Sequence, residues 1–220
     1  MLRLSEMQTR SLLARPESGM GYQVVVATMK DNATRRGVAY NAELLLFDNE
    51  PRAGLFFKAH EILLREARNS EGEVKSLSLV TRSAAPKAVH EKSALETRSA
   101  APAGDAPVEA TKPREVFKRF SAYQNDHRVL PDRSLRPGTY ATTEADAGKV
   151  RTGAEAVERY ALPEPKPASH VFTVKPHPAT PIQRGTVAPA YGHLGGGDEV
   201  IFTNGTRPAT VTGPDKIPDK

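Results

Sequence analysis

The chain contains no cysteine and no tryptophan among its 220 residues. Without cysteine there is no disulfide framework, no thiolate metal site and no cysteine nucleophile, which fits a reducing compartment. Long apolar runs are also missing. The opening stretch "MLRLSEMQTRSLLARPESG" scatters charge along its length and has no apolar core of signal-peptide size. No later window approaches the apolar length of a membrane span. The expected location is the cytoplasm, or the cell exterior by way of a specialised secretion system that needs no cleavable signal. Dense blocks of one charge are absent too. The net charge is +5, with 11 Lys/Arg and 10 Asp/Glu in residues 1–80 and 20 and 16 in the remainder. No basic run interleaves with aromatics, so a nucleic-acid-associated role is an alternative resting on net charge alone. Three motifs are excluded as well. No Gly-Lys-Ser/Thr follows the glycine run as a P-loop requires, no Gly-x-Ser-x-Gly elbow exists, and a dinucleotide fingerprint starting at Gly195 and Gly197 would need its third glycine at Val200.

The sequence divides by composition. Residues 1–80 read as a small α/β module: strands over "YQVVVATM" and "GVAYNAELLLFD", a helix over "GLFFKAHEILLREARN" with apolar residues at helical spacing, and a strand over "EVKSLSLVT". Residues 81–112 are dominated by alanine, proline and small polar residues, and "TRSAAP" occurs twice. A segment of that kind buries too little to offset its ordering entropy and is expected to be a flexible linker that lets the flanking parts move independently. Residues 113–205 read as a loop-rich antiparallel β domain. It comprises a short lead-in helix over "REVFKRFSAYQ", strands at "HRVLP", "GTYATT", "HVFTVKP" and "EVIF", and a helical stretch broken near Gly153. Residues 206–220, rich in breakers, read as a fraying tail. The fold class is α+β.

The densest feature is "VAPAYGHLGGGDEVIF", residues 187–202, where three glycines run into two acids and then a strand. On spacing alone the glycines are a permissive turn, since glycine accepts positive φ without steric penalty. They also suit a ligand pocket in which a flat molecule lies on bare backbone beside an acid from the next strand. Successive strand residues face opposite sides, so only one of Asp198 and Glu199 can point into such a cleft. His170 and His177 are seven apart, which is not a metal-ligand spacing, and no metal site is expected.

"APAYGHLGGGDEVIF" resembles the C-terminal signature of the tuberculosis necrotizing toxin family. There an Ala-Pro-aromatic-aromatic-Gly segment precedes a glycine run, a glutamine and a final strand. The likeness extends upstream through "LRPGTYATTEADAGKVRTGAEAVERYALPEPKPASHVFTVKP" and covers roughly residues 127 to 202. It implies a domain of ADP-ribosyltransferase-like type that consumes NAD⁺. Glu199 stands where the toxin pattern has glutamine, and glutamate is the residue type typical of ADP-ribosyltransferases. The Gln-x-Glu or Glu-x-Glu pattern of arginine-modifying members is absent, because Gly197 lies two residues before Glu199.

The resemblance implies a toxin or effector that cleaves the nicotinamide–ribose bond of NAD⁺, its substrate, and passes ADP-ribose to an acceptor or to water. Its implied partners are a macromolecular acceptor and an inhibitor or immunity protein, with residues 1–80 docking a partner or target. Glu199 is the candidate catalytic carboxylate, since bond cleavage builds positive charge on the ribose that a nearby carboxylate stabilises. The pyrophosphate calls for an arginine fork, for which Arg128 and Arg159 are candidates. The nicotinamide ring calls for an aromatic wall from Tyr140 or Tyr160. Thr142 is a candidate ribose contact, His127 a candidate holder of the adenosine ribose, and Gly195, Gly196 and Gly197 the backbone against which NAD⁺ lies. The competing reading is a non-enzymatic module that keeps the fold for protein interaction.

Overall fold

The computed structural model describes residues 1–48, 68–69, 73–80, 103–163 and 167–219. They form two largely antiparallel sheets with three short helices. Among these residues no helix is long and apolar enough to cross a membrane.

The N-terminal sheet has the order β5-β1-β4-β3-β2-β6, from β1 (Leu2–Arg3), β2 (Tyr22–Met29), β3 (Thr34–Tyr40), β4 (Leu44–Phe47), β5 (Arg68–Asn69) and β6 (Val74–Leu79). Strand β2 alternates strictly: Gln23, Val25, Ala27 and Met29 are buried, while Tyr22, Val24, Val26 and Thr28 are partly exposed. The buried set packs with Leu12 of helix α1 (Glu6–Leu13), Leu45 and Phe47. Helix α1 was not legible from apolar spacing. Its signal is a capping box, in which the Gln8 N–H donates to Ser5 Oγ at 3.3 Å and the Ser5 N–H donates to Gln8 Oε1 at 2.9 Å. Gln23, almost fully buried, donates from Nε2 to the carbonyls of Leu12, Arg15 and Pro16 and so ties β2 to the end of α1. "GVAYNAELLLFD" is two strands rather than one. Asn41 and Ala42 take positive φ and turn the chain tightly, so that Tyr40 pairs with Leu44. The helix expected over 54–69 lies outside the described residues, apart from Arg68–Asn69 in β5.

The C-terminal sheet has the order β13-β10-β8-β9-β12-β11-β7. Its strands are β7 (Glu109–Ala110), β8 (Phe117–Ser121), β9 (Thr139–Thr143), β10 (His170–Val174), β11 (Pro181–Thr186), β12 (Asp198–Phe202) and β13 (Val211–Lys216). Helices α2 (Glu144–Ala147) and α3 (Gly153–Arg159) bracket the break expected near Gly153. One face carries Phe117, Ala141, Phe172, Val200 and Phe202. The other carries Phe120, Tyr140 and Ile201 under Ala156, Val157 and Tyr160.

Four expectations need correction here. "REVFKRFSAYQ" is a strand, β8, because both of its faces are buried: Phe117 and Phe120, three apart as in a helix, serve opposite faces. "HRVLP" is a turn with a single bridge, Val129 to Leu135. The last ten residues assigned to the linker are built into the sheet, since β7 pairs with β11 and Ala103 is fully buried. The tail supplies β13, paired along β10. Residues 81–102 lie outside the described set.

The two sheets also share a buried seam, contrary to the expectation of independent motion. Val38, Tyr40, Leu44 and Leu46 pack against Ala122 and Tyr123. Tyr40 Oη donates to the Pro163 carbonyl at 2.7 Å. At the centre lies Arg119, with no exposed surface. It donates to both oxygens of Glu17 at 2.9 Å, to both oxygens of Asp126 at 2.9 and 3.2 Å, and to the Tyr140 carbonyl at 2.8 Å. Glu17 also accepts the N–H groups of Gly21 and Tyr140. Burial alone would push the Asp126 carboxyl up, but the Arg119 guanidinium outweighs it and holds the group below the usual range. A buried charge stays folded only when paired in this manner.

Candidate functional site

Strand β12 places the acids. Glu199 shares its face with Ile201, whose partner across the ladder is Tyr140. Asp198 belongs to the opposite alternation: its carboxylate accepts Thr143 Oγ1 at 2.6 Å, and its N–H donates to Asp146 Oδ2 at 3.0 Å. Glu199 is 5% exposed, and its Oε2 accepts the Ala103 N–H at 2.9 Å. One residue that holds this carboxylate therefore comes from the segment read as linker.

Glu199 borders a cavity of about 330 Å³, at the small end of the roughly 300–1,000 Å³ usual for small-ligand sites. Tyr140 and Tyr160 line it with Glu199 on the C-terminal side, Asp198 borders it too, so that both acids and not one reach it, and Val187–Tyr191 cover it. Tyr160 stacks on Phe120, with ring centroids 5.3 Å apart and planes at 26°. Its hydroxyl is buried beside Thr142 and Asp146, and burial pushes its pKa above the ordinary tyrosine value. The N-terminal sheet supplies the opposite wall, with Tyr22, Val24 and Arg36, and the segment Ser18–Met20 runs along it. Tyr191 meets Tyr22 edge to face at 5.6 Å, joining the covering loop to that wall. Sequence reasoning missed this wall, because nothing local to Tyr22 or Arg36 shows that their sheet faces β12.

The glycines answer to packing. Gly195 has φ +67°, and an added Cβ there would lie 2.7 Å from the Val187 carbonyl oxygen. At Gly197 a Cβ would lie 2.6 Å from Cε1 of Tyr160. The run also bonds by backbone to its surroundings: Gly195 N–H to the Glu158 carbonyl, Gly196 N–H to Val187, and Gly197 N–H to Arg159. Gly196, with φ +84°, has open space beside it. The three glycines thus seat the end of α3 and the Tyr160 ring next to β12, and none of them lines the cavity.

Arg159 and Thr142 stand behind this wall. Arg159 grips Asp146 through two nitrogens, Nε at 2.9 Å, and Thr142, fully buried, reaches the same carboxylate at 3.5 Å. Asp146 also accepts from Lys149 Nζ at 3.0 Å. Burial would raise the Asp146 pKa, but Arg159, Lys149 and the Asp198 N–H together hold it at about 2. These residues position β12 and do not line the cavity.

Arg128 and His127 lie elsewhere. Arg128 is 3% exposed in the seam, with Nη2 on the Arg15 carbonyl at 2.8 Å and Nε 3.7 Å from Glu17. Burial lowers its pKa despite Glu17. Its fork is turned to backbone, because β8 and the 126–137 turn pack it under the N-terminal module. His127 lines a separate groove with His170, Arg133 and Arg136, and its N–H donates to Asn41 Oδ1 at 2.8 Å.

No family model matches the chain, and no curated protein matches it. It is similar to one solved structure, described as "Structure of Tne2 in complex with Tni2", at 22% identity over 53% of this chain and 95% of that one, with a TM-score of 0.39. A superposition at that score does not establish a common fold.

Proposed function

We propose that the chain is an NAD⁺-consuming enzyme that cleaves the nicotinamide–ribose bond and delivers ADP-ribose to water or to an acceptor. The observation that carries this reading is Glu199: a buried carboxylate, held by the Ala103 N–H, at the edge of a cavity walled by Tyr140 and Tyr160. The sequence signature around it supports the same chemistry. In the reaction the C1′–N bond breaks and its electron pair passes to the ring nitrogen, which neutralises the pyridinium and releases nicotinamide. Positive charge develops on the ribose. A water or acceptor oxygen then bonds to C1′ and loses its proton to solvent. Glu199, accepting from a ribose hydroxyl, stabilises the cation-like ribose more than the ground state. The tyrosine rings give the nicotinamide an apolar, π-faced wall. Asp146 and Arg159 contribute by fixing the backbone of Asp198 next to Glu199.

The test is nicotinamide release from NAD⁺ by the purified chain and by Glu199→Gln. The substitution keeps the size and removes the charge, and loss of one such preorganised partner corresponds to a fall of roughly 100-fold or more in the chemical step. Equal release from both proteins would remove Glu199 from the reaction.

A further inference from the structure

The ladder between β2 and β3 decides which side chains of the N-terminal sheet face the cavity. Tyr22 pairs with Tyr40, Val24 with Val38, and Val26 with Arg36. These six side chains share one face, and Val38 and Tyr40 pack on it against the C-terminal half. Arg35 belongs to the other face, where its guanidinium lies over the Phe47 ring at 5.6 Å. Tyr22, Val24 and Arg36 all line the cavity that holds Glu199. Arg36 is the cation among its described lining residues. It is about one-third exposed and sits 3.5 Å through Nε from Asp48. Tyr22 lies level with Tyr191 at the covering loop, and Val26, the partner of Arg36, is four residues further along β2, roughly 13 Å at strand spacing. The cavity therefore has two acids, Asp198 and Glu199, on the C-terminal wall, a cation displaced along the N-terminal wall, and aromatic and aliphatic surface between them.

We propose that Arg36 forms a subsite for the diphosphate of a nucleotide ligand, so that the N-terminal sheet binds one part of the molecule whose reacting end meets Glu199. This deepens the NAD⁺ reading of the cavity and rests on it. The chemistry is that of a guanidinium meeting a phosphate, whose planar fork an ammonium reproduces poorly. It also gives the tight seam between the halves a purpose, since a ligand site made by two sheets requires that the sheets stay in register. Arg128 cannot take this role, because its donors are used on backbone within the seam.

Titration calorimetry on the full chain tests the subsite, with ADP-ribose and nicotinamide as separate ligands. The variants are Arg36→Gln, Arg36→Lys and, as a control from the other face of the same strand, Arg35→Gln. Arg36→Gln should weaken ADP-ribose binding about 10- to 100-fold, the range of one charge-assisted phosphate contact. It should leave nicotinamide binding unchanged. Arg36→Lys should recover part of the loss, and Arg35→Gln should match the wild type. Equal ADP-ribose affinity in Arg36→Gln, or an equal loss for both ligands, overturns the subsite. Absence of ADP-ribose binding by the wild type overturns it as well. Nicotinamide release from NAD⁺, followed alongside, shows whether the parent reading falls with it.

Discussion

Replacing Arg119 by methionine removes the centre of the seam and keeps most of the side-chain volume. Five hydrogen bonds disappear at once: two to Glu17, two to Asp126 and one to the Tyr140 carbonyl. Two carboxylates, both under 8% exposed, then remain in the interior. Arg128, 3.7 Å from Glu17, compensates only part of this, and it does not bridge Asp126 with its side chain. Removing one partner of a buried pair costs about 3–5 kcal/mol, a large share of the roughly 5–15 kcal/mol that a folded chain has. At roughly 2–4 °C per kcal/mol for a chain of this size, the melting temperature should fall by about 6–20 °C. Neutralising the acids in the same chain, with Glu17→Gln and Asp126→Asn added to Arg119→Met, should restore most of the loss, because the expensive species is the unpaired charge. The assay is circular dichroism during heating and urea titration of the full chain. A drop below about 0.5 kcal/mol for Arg119→Met, or a triple variant no better than the single one, would refute the claim that the network joins the halves.

Three further outcomes follow from the same geometry. Gly197→Ala puts a methyl 2.6 Å from Tyr160 Cε1 and should cost about 1–3 kcal/mol, the scale of overpacking, whereas Gly148→Ala, at φ −63° with no atom nearer than 3.5 Å, should be close to neutral; equal melting temperatures for the two would contradict this. The Asp146 carboxyl titrates at about 2 in the fold against an ordinary value near 3.8. Its stabilisation is therefore fully present above about pH 4 and is lost as pH falls through about 2, so the wild type should lose more stability over that window than Asp146→Asn, as read by urea midpoints. Truncation before Val211 removes the partner of β10 and should expose Phe172 and Val174 to solvent; binding of a hydrophobic dye checks it.

What the sequence disclosed was local. The alternation in "YQVVVATM", the break in helix near Gly153 and the strand after the glycine run are each written in a few adjacent residues, and each occurs in the fold. Residues whose roles depend on distant partners were misread or passed over. Arg119 drew no reading of its own within the expected helix over "REVFKRFSAYQ", because its partner Glu17 is 102 residues away. Ala103 sits in a run of small residues that carries no local core signal, yet it contributes a backbone N–H to Glu199 and a methyl to the core. Arg128 has the chemistry of a phosphate fork, but folding turns that fork onto carbonyls. The candidate site was legible at Glu199, Tyr140 and Tyr160, which one sheet and one helix end bring together. It was illegible at Tyr22 and Arg36, which arrive from the other sheet.

The most direct measurement is a time course of NAD⁺ with the purified chain, following free nicotinamide by chromatography beside Glu199→Gln under the same conditions. The account predicts steady nicotinamide release by the wild type, with the variant slower by about 100-fold or more and both proteins showing the same melting curve in the absence of NAD⁺. No nicotinamide from the wild type, or equal rates from the two proteins, would contradict it.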